Sequence, residues 1–174
     1  GDAGDCSGPA EDAAAAVGGR AELMTELFDP RSGAKLSHPG TFNANPLTMA
    51  AGLAAMRQFD EAAFERLAGL GQRLRDGLNE ALRISGRPGI VTGATSLAGL
   101  FLIDRPIATY RDLVALMGAD PGIARRSEAL FRHLLNHGVL MIAQGFFALS
   151  TATTESDIDH VCEAALSGLR SLPA

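Results

Sequence analysis

Lysine is almost absent from this chain: Lys35 stands alone against fourteen arginines. Any chemistry that needs a side-chain amine therefore rests on that residue. It lies in a loop without an apolar neighbourhood to depress its pKa, so a solvated surface role is expected. Cysteine is nearly as scarce. Cys6 and Cys162 sit at opposite ends with no CxxC or Cys/His spacing, which points away from a zinc site or a disulfide framework. No apolar run approaches the roughly 20 residues needed to cross a bilayer. The first residues also lack a basic stretch followed by an apolar core, so no membrane association is expected and the location is read as cytoplasmic. With a net charge of −5 and no block of basic residues, nucleic acid is not an expected partner.

The chemistry-bearing side chains are thinly spread. Carboxylates form no pair that suggests acid–base work. Four histidines are present, His38, His133, His137 and His160. His133 and His137 share a helix face, but Leu134 stands where a zinc-hydrolase motif needs glutamate, and no third ligand is indicated; a surface or capping role is expected. Gly18-Gly19 is too short for a phosphate-binding loop.

What is present is a chain of 174 residues, 47% hydrophobic and 20% charged, enough for one core in a globular domain. Residues 1–16 are mostly glycine, alanine, aspartate and glutamate, with too little apolar surface to offset chain ordering, so a flexible arm is expected there. The abrupt change after it suggests a truncated, rearranged or frame-shifted beginning. Helical spacing is predicted over Arg20–Phe28, Pro46–Phe59 and Glu61–Ile84, the last with Phe64, Leu67, Gly71, Leu74, Leu78 and Leu82 in one stripe. Further helices are predicted over Tyr110–Met117 and Ile123–Asn136, and from about Thr154, where Asp157 completes a relative of the capping box. Ile90–Thr92, Ala98–Ile103, Val139–Ile142 and Phe146–Ser150 read as strands. About four short strands among five helices define an α+β class, a small, mostly antiparallel sheet covered by helices.

One stretch concentrates the functional signal. His38-Pro39-Gly40-Thr41-Phe42-Asn43-Ala44-Asn45-Pro46 runs into a helix rich in small residues. Asn45 suits the N-cap and Pro46 the first helical position. Such a helix mouth carries partial positive charge and suits an anion. The alanines and glycine beyond it permit close approach of another element or subunit.

Gly40-Thr41-Phe42-Asn43-Ala44-Asn45-Pro46 followed by Met49-Ala50-Ala51-Gly52 resembles the turn-and-helix signature of class III (fold type I) pyridoxal-phosphate aminotransferases, in particular glutamate-1-semialdehyde 2,1-aminomutases and β-amino-acid transaminases. The resemblance extends from about Val17 to the end of the chain. It includes Val17-Gly18-Gly19-Arg20, the helix pair that follows and the region from Gly138-Val139 to Ser150. It implies that residues 17–60 are the end of a large domain with an interdomain helix, and that 61–174 are the C-terminal small domain.

The resemblance implies pyridoxal 5'-phosphate as cofactor. Gly40 and Thr41 would reach across a homodimer interface to the phosphate held by the partner subunit. The Ile142–Phe146 turn would wall the pocket of a small amino substrate, with Gln144 near the position where β-amino-acid transaminases place a carboxylate-binding arginine. Glutamine offers neither the charge nor the bidentate fork. The family's Schiff-base lysine should precede Val17 and is not found, so no catalytic residue is assigned. The chain alone is expected to be inactive, needing a missing large domain or a second copy. The competing expectation is a non-catalytic α+β interaction or assembly domain whose contact surface is the alanine-glycine helix.

Overall fold

A computed structural model describes residues 18–33, 35–36, 45–142 and 145–172. The predicted arm over 1–16 lies outside these residues. The chain divides into two compact units, Gly1–Asp60 and Glu61–Ala174.

In the first unit, α1 (Ala21–Phe28) is followed by a single 3-10 turn over Pro30–Ser32. The Asp29 carboxylate caps this turn by accepting from the Arg31 amide at 2.9 Å, and Gly33 ends it in the left-handed conformation, φ 71°. The second helix, α2, spans Pro46–Gln58, as its proline and asparagine predict. α1 buries no residue and α2 buries only Gly52. Leu47, Leu53 and Met56 are exposed, and so are Ala50, Ala54 and Ala55 on the side expected to pack tightly.

The second unit is built on α3 (Glu61–Ser85), which packs along α6 (Glu155–Ser171), with α5 (Pro121–Asn136) against the other side of α6. A three-stranded antiparallel sheet has the order β1 (Ile90–Thr92), β2 (Leu97–Phe101), β3 (Phe146–Ala148). Its register pairs Val91 with Leu100 and Ala98 with Phe147. Alternation along β2 then sends Ala98, Leu100 and Leu102 into the main core, against Leu74 and Leu78 of α3, Leu134 of α5 and Leu169 of α6. The other face directs Phe101 and Ile103 onto Leu113 of α4 (Tyr110–Ala119) and Ile123. A central strand covered on both faces explains the continuous apolar run that marks it in the sequence.

Three details depart from the periodicity reading. Phe64, placed in the α3 stripe, is 48% exposed, and Leu70 and Ala81 are buried in that helix instead. Val139–Ile142 joins the sheet only through a bridge between Ile142 and Phe146, so three strands form among the described residues rather than four. Among the described residues all six predicted helical spans form α-helices, so the count of about five is one short. The added precision lies at the caps. Thr154 and Asp157 form the expected capping box, and Thr109 and Asp112 form a second that the sequence reading passed over.

Candidate functional site

Gly40 and Thr41, the expected phosphate-binding pair, and Gln144, the expected substrate contact, lie outside the described residues. Their frameworks can be built. At the α2 mouth, the Asn45 side-chain oxygen accepts from the Leu47 amide at 2.9 Å and more weakly from the Thr48 amide at 3.5 Å. Pro46 has no amide hydrogen, and the Met49 amide already donates to the Asn45 carbonyl at 2.9 Å. The first-turn donors are therefore engaged by the cap itself.

The second framework flanks Gln144. The Ile142 amide donates to the Phe146 carbonyl at 2.9 Å, the Gly145 amide to the Ile142 carbonyl at 2.8 Å, and the Leu100 amide to the Gly145 carbonyl at 2.8 Å. Gly145 adopts φ 96°, a region that L side chains avoid. A Cβ there would also overlap the Leu100 carbonyl, whose carbon is 3.3 Å away. Only glycine meets both demands, so the segment is pinned to the central strand of the sheet. Phe146 meets the Phe101 ring edge to face, with centroids 5.3 Å apart.

The lysine follows expectation. Lys35 is exposed and its ammonium pairs with the carboxylate of Glu26. An exposed ammonium held in a surface ion pair lies outside any pocket that would shape it as a nucleophile.

Nor do the described residues hold another reacting constellation. No group of three or more potential metal ligands occurs among them. Arg31 draws the Asp29 carboxyl below its ordinary range, as Arg105 does for Asp104 and Arg126 for Asp120, all at the surface. Asp112 and Asp157 are lowered by the amides they cap. The histidine pair is structural. His133 and His137 stack with centroids 4.1 Å apart. The His137 Nδ1 lies 2.8 Å from the His133 carbonyl, and His160 Nε2 lies 2.8 Å from the His137 carbonyl. Carbonyls only accept, so both ring nitrogens carry hydrogen and satisfy the α5 C-terminus.

No family model matches the chain. Individual relatives do. The β-phenylalanine transaminase of Variovorax paradoxus is 40% identical over 146 residues, which is 83% of this chain and 32% of the relative. A glutamate-1-semialdehyde 2,1-aminomutase of Opitutus terrae is 34% identical over 160 residues, 90% of this chain and 36% of the relative. Among solved structures, an omega-transaminase from Sphaerobacter thermophilus matches with a TM-score of 0.75 at 38% identity, over 88% of this chain and 34% of that one. The chain spans about a third of the length of these relatives.

These relatives are fold type I pyridoxal-phosphate enzymes. Over the segment it spans, the chain corresponds in sequence and fold to the class III aminotransferases, the group that includes glutamate-1-semialdehyde aminomutase.

Proposed function

We propose that this chain is the C-terminal portion of a class III pyridoxal-phosphate enzyme that moves an amino group on a small amino acid or amino aldehyde. The observation that carries the reading is its match to transaminases and aminomutases across most of its own length and a third of theirs. Pyridoxal phosphate supplies the electron sink for such chemistry when bound. This chain's part is to bind and to shape. Gly40 and Thr41 grip the phosphate of a cofactor held by a large domain or a second copy, and Gln144 faces the substrate, hydrogen-bonding a carboxylate without adding charge. Residues 17–60 would then close the large domain and 61–174 form the small one. The exposed Leu47, Leu53 and Met56 of α2 support an assembled state, since a lone chain leaves them in water. The amine comes from outside the chain, because Lys35 is exposed and ion-paired.

A chimera tests this. Residues 17–174 are fused behind the large-domain portion of the Variovorax relative, and cofactor absorbance and amino transfer are measured. The chimera is expected to bind the cofactor. Thr41→Ala should weaken that binding by about tenfold, as for loss of charge-assisted hydrogen bonds to a phosphate. Gln144→Arg should favour substrates whose carboxylate lies one carbon further from the amine. A folded chimera indifferent to Thr41→Ala would refute the phosphate role. A cofactor adduct that borohydride reduces and traps on Lys35 of the unfused chain would refute the missing-amine reading.

A further inference from the structure

The second unit contains a cleft of about 530 Å³ at the border of the two core clusters, lined by Leu102 and Leu172 from the main core and by Ile103 and Ile123 from the smaller one. It is separate from both frameworks described above and includes none of their residues. Its floor is apolar, formed by Leu102, Ile103, Leu116, Ile123 and Leu172. The volume falls within the range of small-molecule sites, which combine apolar walls with a few polar groups.

The rim sets the ligand's charge. Arg105 and Arg126 stand on it beside Asp104 and Asp120. Asp120 already accepts from the Gly122 amide at 2.8 Å and from Arg126 Nη2 at 3.0 Å, and Asp104 accepts from Arg105 Nε at 3.1 Å. Each guanidinium offers five donors, and among the described residues one donor of Arg126 and one of Arg105 are engaged in hydrogen bonds. With Arg87 also in the lining, three guanidiniums face two carboxylates there, in a chain whose overall charge is −5. Arg87 donates to the Leu169 and Leu172 carbonyls at the end of α6. A mouth rich in donors above an apolar floor matches a molecule with an anionic head and a hydrocarbon body.

We propose that this cleft binds a medium-chain carboxylate, its head on the Arg105 and Arg126 guanidiniums and its chain over Leu116 and Ile123. The probe is decanoate, titrated below its micelle-forming concentration into the full chain by calorimetry and by NMR of the Leu and Ile methyl groups. Saturable one-to-one binding is expected, with shifts confined to the cleft methyls. Decyltrimethylammonium, with the same chain and opposite charge, should bind at least about tenfold more weakly, and acetate, a head without a body, should not compete.

Arg126→Gln should weaken decanoate by about fivefold to tenfold. Ala119→Trp, which fills the cleft from an exposed position, should abolish binding while far-UV circular dichroism stays that of the parent. Arg126→Gln carries the test by itself if the tryptophan variant misfolds. The proposal is overturned if decanoate does not saturate, if the cationic analogue binds equally, if acetate competes at similar concentration, or if folded Arg126→Gln binds like the parent.

Discussion

Thr95 occupies the space that a side chain on Gly71 would need. The Thr95 carbonyl carbon lies 2.8 Å from the point where a Cβ of Gly71 would sit, and its oxygen lies closer still. Arg75, one turn further along α3, secures the same loop by donating to the carbonyls of Thr95 and Leu97, each at 3.1 Å. Thr95 itself holds φ 48°, unusual for a β-branched residue. The loop that leads into β2 thus rests directly on the α3 backbone.

Gly71→Ala should therefore destabilise the second unit although alanine is the better helix former. Overpacking costs about 1–3 kcal/mol, and helix propensity returns at most about 1 kcal/mol. A net loss of about 1–2 kcal/mol is expected, read as a lower urea midpoint at unchanged slope. An unchanged midpoint would show that the loop yields without cost.

The seam between α5 and α6 should be sensitive to acid. His133 packs its ring edge against Gly168, where a Cβ would lie 2.9 Å from Cδ2, and its Nε2 is buried without a hydrogen-bond partner among the described residues. Burial, and then the nearby His137, hold its pKa below the ordinary 6.5. The unfolded chain thus takes up the proton first. The stability that depends on neutral His133 is complete above about pH 6.5 and is lost as pH falls from there through the lower folded value. His133→Phe should flatten the change in urea midpoint between pH 7.5 and 5.5. An equal slope in parent and variant would remove His133 from the account.

Cys162 should behave as an inert thiol. Burial, reinforced by the Asp159 carboxylate, pushes its pKa up to about 11. Its sulfur also packs onto Gly77 of α3, where a Cβ would overlap it. Because the thiolate is the reactive form, alkylation by iodoacetamide at pH 8 should be slow when folded and rise sharply in denaturant. Mass-spectrometric mapping of the Cys162 peptide reads this separately from Cys6. Rapid labelling under native conditions would contradict the packing.

The start of α6 depends on one hydroxyl. Thr154 Oγ1 accepts from the Asp157 amide at 3.2 Å, and the Asp157 carboxylate accepts from the Thr154 amide at 2.8 Å. Thr154→Ala should cost about 1 kcal/mol, seen as a lower thermal midpoint. The amide and then the hydroxyl of Thr154 hold the Asp157 pKa below 3.8. Its contribution is thus complete above that value and disappears as pH falls through the lower folded value. This window is well below that of His133, and Asp157→Asn should remove it. Full thermal stability of Thr154→Ala would show that the cap carries no weight.

Much of this architecture is legible in the residues. Asn45-Pro46 fixes the start of α2 because a capping amide and an amide-free first residue both favour that place. Leu67, Leu74, Leu78 and Leu82 mark the buried side of α3 through helical spacing alone. Other features were not legible. Phe64 is as apolar as its neighbours in the stripe, yet it lies in the first turn of α3 and remains 48% exposed. Val139–Ile142 has strand-like composition but pairs at one bridge only, because ladder bonds depend on a partner's register as well as on propensity.

The sequence by itself determined the helices, the caps at Asn45 and Thr154, the apolar run of β2 and the resemblance carried by the turn before Asn45, since each follows from local chemistry or the spacing of apolar groups. Only the tertiary structure decided that Gly71 must lack a side chain, that Gly145 is pinned beneath Leu100, and that Arg105 and Arg126 gather at one apolar cleft. Those relationships join residues far apart in the chain, and no local preference encodes the distance between them.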